Sequence, residues 1–153
     1  MFLYSKFLFF LLRTLLKLFR LHILGCSAAT PTSDRHTTSQ LLQYHNRFFL
    51  LDCAEGTQMQ LRRMDLPMMR INHVMISHLH GDHYLGLPGL LFSWHLLGRE
   101  QEVNIYSPKG LKEIIELQFA VSGLEPSYPI HWHLTEAPGD CLFEDQYLRV
   151  ETL

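Results

Sequence analysis

NHVMISHLHGDHYLGLPGLL, residues 72–91, sets three histidines and an aspartate directly behind a short apolar run. Residues 72–77 read as a strand, and residues 86 to about 97 as a helix. The motif between them therefore sits at the carboxyl end of a strand, the usual place for function in an α/β sheet. His78 and His80 are two apart, so in extended backbone their side chains point the same way and can grip one ion. Gly81 allows a sharp turn. Asp82 and His83 are adjacent and diverge from the first pair, so one small ion is hard to surround with all four. Two ions a few ångström apart solve that geometry, the arrangement that generates hydroxide and clamps both oxygens in a phosphoryl displacement. Imidazoles with a carboxylate suit zinc best, with manganese and iron also open.

Working outward, the chain alternates short strands and helices. Residues 21–24 are apolar and end at Gly25, ahead of an irregular loop, SAATPTSDRHTT. Residues 39–44 and 47–52 flank His45 and Asn46, which predicts a hairpin. A helix over about 56–66 follows. Beyond the motif come a strand near 103–106, a helix opened by Pro108 and running to about 121, and strands at 130–135 and 147–152. Without repeat, low-complexity tract or linker, residues 21–153 read as one α/β unit.

With 47% hydrophobic and 18% charged residues, the chain has the composition of a folded domain. Its charge is uneven. Four of the 13 basic residues, Lys6, Arg13, Lys17 and Arg20, lie in the first twenty, where no acid occurs. Residues 21–153 therefore hold nine basic groups against fifteen acidic, and that net −6 gives no basic footprint for a nucleic acid. Residues 1–20 read as a hydrophobic and basic extension. The apolar run at 7–12 is too short to span a bilayer, but on a helix the four cations form a narrow stripe that could lie on an anionic membrane surface. Cys26, Cys53 and Cys141 are scattered, which predicts reduced thiols with packing roles in a cytoplasmic setting. His22, His36, His45, His73, His95, His131 and His133 read as surface or packing residues.

H-x-H-x-D-H is the signature of the metallo-β-lactamase fold, and the flanking stretches narrow the likeness. "ILGCSAATPTSDR", "FFLLDCAEGTQMQLRR", "ISHLHGDHYLGLPGLL" and "IYSPKGLKEIIE" resemble, in order and spacing, the first half of the ribonuclease Z family over essentially residues 21–153. That resemblance implies a metallo-β-lactamase-type αβ/βα sandwich, of which this chain supplies about the first half. It further implies a cytoplasmic, homodimeric hydrolase with two zinc ions that removes the 3′ trailer from precursor tRNA. His78 and His80 would hold the first zinc, and Asp82 and His83 the second. Asp82 would also accept the proton of the attacking water. Asp52 and Glu55 are candidate hydrogen-bond acceptors for ligand imidazoles, or helix caps. Arg35 is a candidate phosphate contact, though better read as a solvated loop charge.

The departures set further expectations. Ala54 replaces the first glycine of the family's D-C-G-E-G-T, which asks whether that position tolerates a Cβ. A third histidine for the first zinc, a bridging aspartate, a catalytic histidine and the tRNA-gripping arm would all lie beyond residue 153. A first half alone should be inactive and should leave one apolar sheet face uncovered. Another metallo-β-lactamase-fold hydrolase, of phosphodiesterase or thioesterase type, and a non-catalytic remnant are the alternative readings.

Overall fold

A computed structural model describes residues 19–153. The membrane-surface helix expected of the extension lies outside the described residues. Its last two members, Phe19 and Arg20, belong instead to the first strand, β1 (Phe19–Gly25). β2 (Ser39–Tyr44) and β3 (Arg47–Leu51) form the predicted hairpin, with His45 taking the left-handed conformation at the turn. After β3 come α1 (Thr57–Arg63), a 3-10 turn at Met68–Arg70 and β4 (His73–Met75). α2 (Gly81–Tyr84) and α3 (Leu87–Leu96) lead to β5 (Val103–Ser107), α4 (Leu111–Ser122) and β6 (Ile130–Leu134). β7 (Cys141–Glu144) and β8 (Arg149–Glu151) close the chain.

β1 to β6 make one sheet in sequence order, and β7 and β8 a separate antiparallel pair. β1, β2 and β3 run antiparallel, whereas β3 through β6 are parallel. The parallel half follows from the crossovers, because β4, β5 and β6 are each reached through a helical segment that returns the chain to the same end of the sheet. In α3 the buried residues Leu87, Leu90, Leu91 and Trp94 recur at helical spacing, and in α4 Leu111, Ile115 and Phe119 do the same. These side chains, with Leu61 of α1, pack on Leu41, Leu50, Val74 and Ile105 to form the main core. Gly123, left-handed, ends α4 with the Leu124 N–H bonded back to the Phe119 carbonyl.

The alternate residues of the same strands face the other way. There Phe49, Met75 and Tyr106 form a smaller core under Leu142, Phe143, Leu148 and Val150 of the β7–β8 hairpin. Beyond the hairpin this face is open among the described residues: Phe19, Leu21 and Ile23 of the edge strand are 59%, 53% and 50% exposed.

Two expectations need correcting. Packing accounts for the buried Cys53 but not for Cys26 and Cys141, which are exposed free thiols in polar loop and hairpin settings. The helix expected over 56–66 is shorter, because Asp65 turns left-handed and Pro67 follows. No helix among the described residues is long and apolar enough to cross a membrane.

Candidate metal centre

The site is built where β3 and β4 end side by side. Asp52, the residue after β3, takes a left-handed backbone with φ 55°, a conformation that short polar side chains tolerate best. Its Oδ1 accepts the Ser77 backbone N–H at 2.8 Å, and its Oδ2 lies 3.0 Å from the Ser77 hydroxyl and 2.7 Å from His83 Nδ1. Main-chain bonds run in parallel: the Asp52 N–H donates to the Met75 carbonyl, Cys53 N–H to His83, and Gly86 N–H to Cys53. The last contact explains a glycine. A Cβ at position 86 would stand 1.9 Å from the Ala54 carbonyl oxygen, so only glycine lets the motif lie against the end of β3.

His78 and His80 do turn to one side, their ring centroids 4.7 Å apart. Asp82 and His83 do not diverge as extended backbone would make them. The chain coils into α2 at Gly81, and the His83 ring returns to within 3.7 Å of His78. Gly81 itself takes no left-handed conformation, so its role is to start that helical turn. Asp82 Oδ2 accepts the Ala29 N–H at 2.9 Å and stands 3.6 Å from His83 Nε2. Desolvation works against ionising Asp82, but the N–H groups of Ala29 and of Asp82 itself, with the His83 and His80 rings, outweigh it. The carboxyl is held below its ordinary value.

Among the described residues no three His, Cys, Asp or Glu side chains converge on one point closely enough to hold an ion. Two ligands for each of two ions, as the sequence divides them, give no such triple. In kind the donors fit a zinc-type ion. His83 is held through Nδ1 by Asp52 with its Nε2 turned toward Asp82, and Asp82 is held through Oδ2 by the Ala29 N–H.

Asp52 thus takes the imidazole-orienting part of its two candidate roles, whereas Glu55 is exposed and α1 has no side-chain cap. Arg35 is exposed in its loop. Ala54 is fully buried without a left-handed backbone, so the position tolerates its Cβ. The other histidines serve elsewhere: His131 faces Glu102, His133 stacks on Tyr106, and His95 accepts the Ser127 N–H. Sequence reasoning missed Ser77, Gly86 and the Ala29 N–H. A serine ahead of the motif is the only one of these that the motif's own spacing could have flagged.

A family model described as "Anti-Pycsar protein Apyc1" matches residues 19–128. The chain belongs to that family. It is also 43% identical over 136 residues to ribonuclease Z of Bacteroides thetaiotaomicron, a match covering 88% of this chain and 43% of that protein. Human tRNase Z, short form, superposes with a TM-score of 0.75 at 31% identity, covering 86% of this chain and 58% of that one. The metallo-beta-lactamase fold protein YhfI from Bacillus subtilis, 23% identical, superposes with a TM-score of 0.59 over 77% of this chain and 48% of its own. The fold is therefore of metallo-β-lactamase type, and the likeness to ribonuclease Z read from the motifs holds. The chain spans less than half the length of the curated ribonuclease Z relatives it matches.

Proposed function

We propose that this chain supplies the first, ligand-bearing half of a two-zinc endoribonuclease of ribonuclease Z type. The whole enzyme would be a cytoplasmic homodimer that removes the 3′ trailer from precursor tRNA. Residues 1–20 would be a hydrophobic and basic extension whose last two members enter β1. The observation behind this reading is the gathering of His78, His80, Asp82 and His83 at the ends of β3 and β4 in a chain 43% identical to a ribonuclease Z.

His78 and His80 would hold one zinc, and Asp82 and His83 the other. Such ions supply an acidified water and positive charge for the phosphate oxygens. The Ala29 N–H holds Asp82 through Oδ2, and the carboxylate so fixed would take a proton from the attacking water. Asp52 holds His83 so that the imidazole cannot swing away from Asp82.

The net −6 of residues 21–153, which offers no basic footprint for a nucleic acid, favours one second reading, a hydrolase of the same fold acting on another phosphodiester. The test joins residues 19–153 to the remaining part of the Bacteroides thetaiotaomicron relative and measures single-turnover cleavage and gel-shift binding of precursor tRNA. Cleavage is expected, with Asp82→Ala lowering the rate by several orders of magnitude while binding stays nearly intact, since affinity comes from many phosphate contacts. A variant still cutting within about tenfold would remove Asp82 from the mechanism. Hydrolysis of a small phosphodiester without tRNA cleavage would favour the second reading.

A further inference from the structure

The Ser77 hydroxyl oxygen, besides its contact with Asp52, touches two imidazoles of the site. It lies 3.0 Å from Asp52 Oδ2, 3.1 Å from His78 Nδ1 and 3.1 Å from His83 Nδ1. A serine hydroxyl has one proton and two lone pairs, so these contacts cannot all be of one kind. An ionised carboxylate only accepts, and a hydrogen bond to a charged acceptor is roughly twice as strong as one between neutral groups. The hydroxyl proton therefore points at Asp52. Turned toward His78 instead, it would leave two acceptor oxygens facing each other at 3.0 Å.

The remaining assignments follow by elimination. His83 Nδ1 is 2.7 Å from Asp52 Oδ2 and closer to it than to the hydroxyl, so it bears the proton of that contact. His78 Nδ1 meets a hydroxyl whose proton is already committed, so it must donate, and its own Nε2 keeps a lone pair. No ring nitrogen of His80 makes such a contact among the described residues.

We propose that Ser77 is a positioning residue that passes the charge of Asp52 on to His78, so that one carboxylate fixes two imidazoles as Nδ1–H tautomers, with the Nε2 lone pair of each turned away from Asp52. That Nε2 is then a metal ligand rests on the function proposed above. The tautomers themselves do not depend on it. Free imidazole side chains favour the opposite tautomer, Nε2–H, so the hydroxyl works against an intrinsic preference, and losing it has a definite signature.

The experiment uses the full chain, labelled with nitrogen-15, at about pH 8.5, where free imidazole is neutral. Long-range proton–nitrogen correlations read each tautomer, and competition with a chromophoric chelator reads Zn2+ affinity. The native chain should show His78 and His83 both as Nδ1–H. Ser77→Ala should move His78 to Nε2–H, leave His83 unchanged through its direct bond to Asp52, and weaken Zn2+ binding about tenfold. Ser77→Thr, which keeps the hydroxyl, should restore both readings. The unmoved His83 signal serves as the control that the variant is folded. The inference is overturned if native His78 is already Nε2–H, or if Ser77→Ala leaves both its tautomer and the Zn2+ affinity in place. A His78 tautomer that moves in a chain binding no Zn2+ would uphold the relay and break the metal reading.

Discussion

Alternate residues of the same six strands make two faces that are finished to different degrees. On one, Leu41, Leu50, Val74 and Ile105 are fully buried under three helices. On the other, burial stops at Phe49, Met75 and Tyr106 beneath the β7–β8 hairpin, and the edge strand offers Phe19, Leu21 and Ile23 to solvent. The difference separates what holds the fold from what the fold holds ready. The closed face has the density of a core, where each methylene counts. The open face has the apolar character of a core without a covering layer, the kind of surface that further packing normally occupies.

Substitutions can break this comparison. Trp94 is fully buried in the closed layer, donates to the Met68 carbonyl at 3.1 Å and lies under the Arg99 guanidinium. Trp94→Ala should cost roughly 3–5 kcal/mol in urea unfolding. Phe143 covers Phe49 and His73 from the hairpin, with ring centroids 5.1 and 4.9 Å away. Phe143→Ala should cost about 1–3 kcal/mol, because solvent can fill the space left under a two-stranded lid. A larger loss than that of Trp94→Ala would mean the hairpin side holds the fold.

A pH titration sharpens the same contrast. Burial first, then the positive neighbours His133 and Arg47, push His73 down from its ordinary 6.5 to about 4, partly offset by Glu102. Because the folded chain binds this proton less well than the unfolded one, the contribution is fully present above about pH 6.5. It is lost as pH falls toward about 4. The urea midpoint should drop over that window, and His73→Phe should flatten the drop. An unchanged slope would show that His73 is not desolvated by the hairpin. The smallest effect is expected at the open edge. Ile23→Thr keeps the branched strand side chain and should move stability by no more than about 0.5 kcal/mol, while lowering the fluorescence of an apolar dye bound to the chain.

How much of this was legible depended on range. The β2–β3 hairpin could be read from two apolar runs around His45 and Asn46, and the strand–motif–helix order from residues 72–91, because both are local patterns. β7 was not legible: Leu142 and Phe143 are its only apolar pair, too short to show a period. α2 is a single turn opened by glycine, and no propensity argument finds such a turn. At the site, the ligand types were visible in seven residues. The bonds from Asp52 to Ser77 and His83 span 25 and 31 residues, and only the parallel pairing of β3 with β4 brings them together.

That pairing also orders events in time. β2 and β3 join through a two-residue turn, and such a hairpin forms in about 1–10 μs. β4 can dock on β3 only after the chain between residues 52 and 72 has closed its loop, an entropic delay that local pairing avoids. The Asp52 carboxylate is therefore left waiting at the end of a finished hairpin until Ser77 and His83 reach it. Stopped-flow refolding with metal present throughout should gain its hairpin signal at a rate independent of Zn2+, and should show the ion's influence only in the later step.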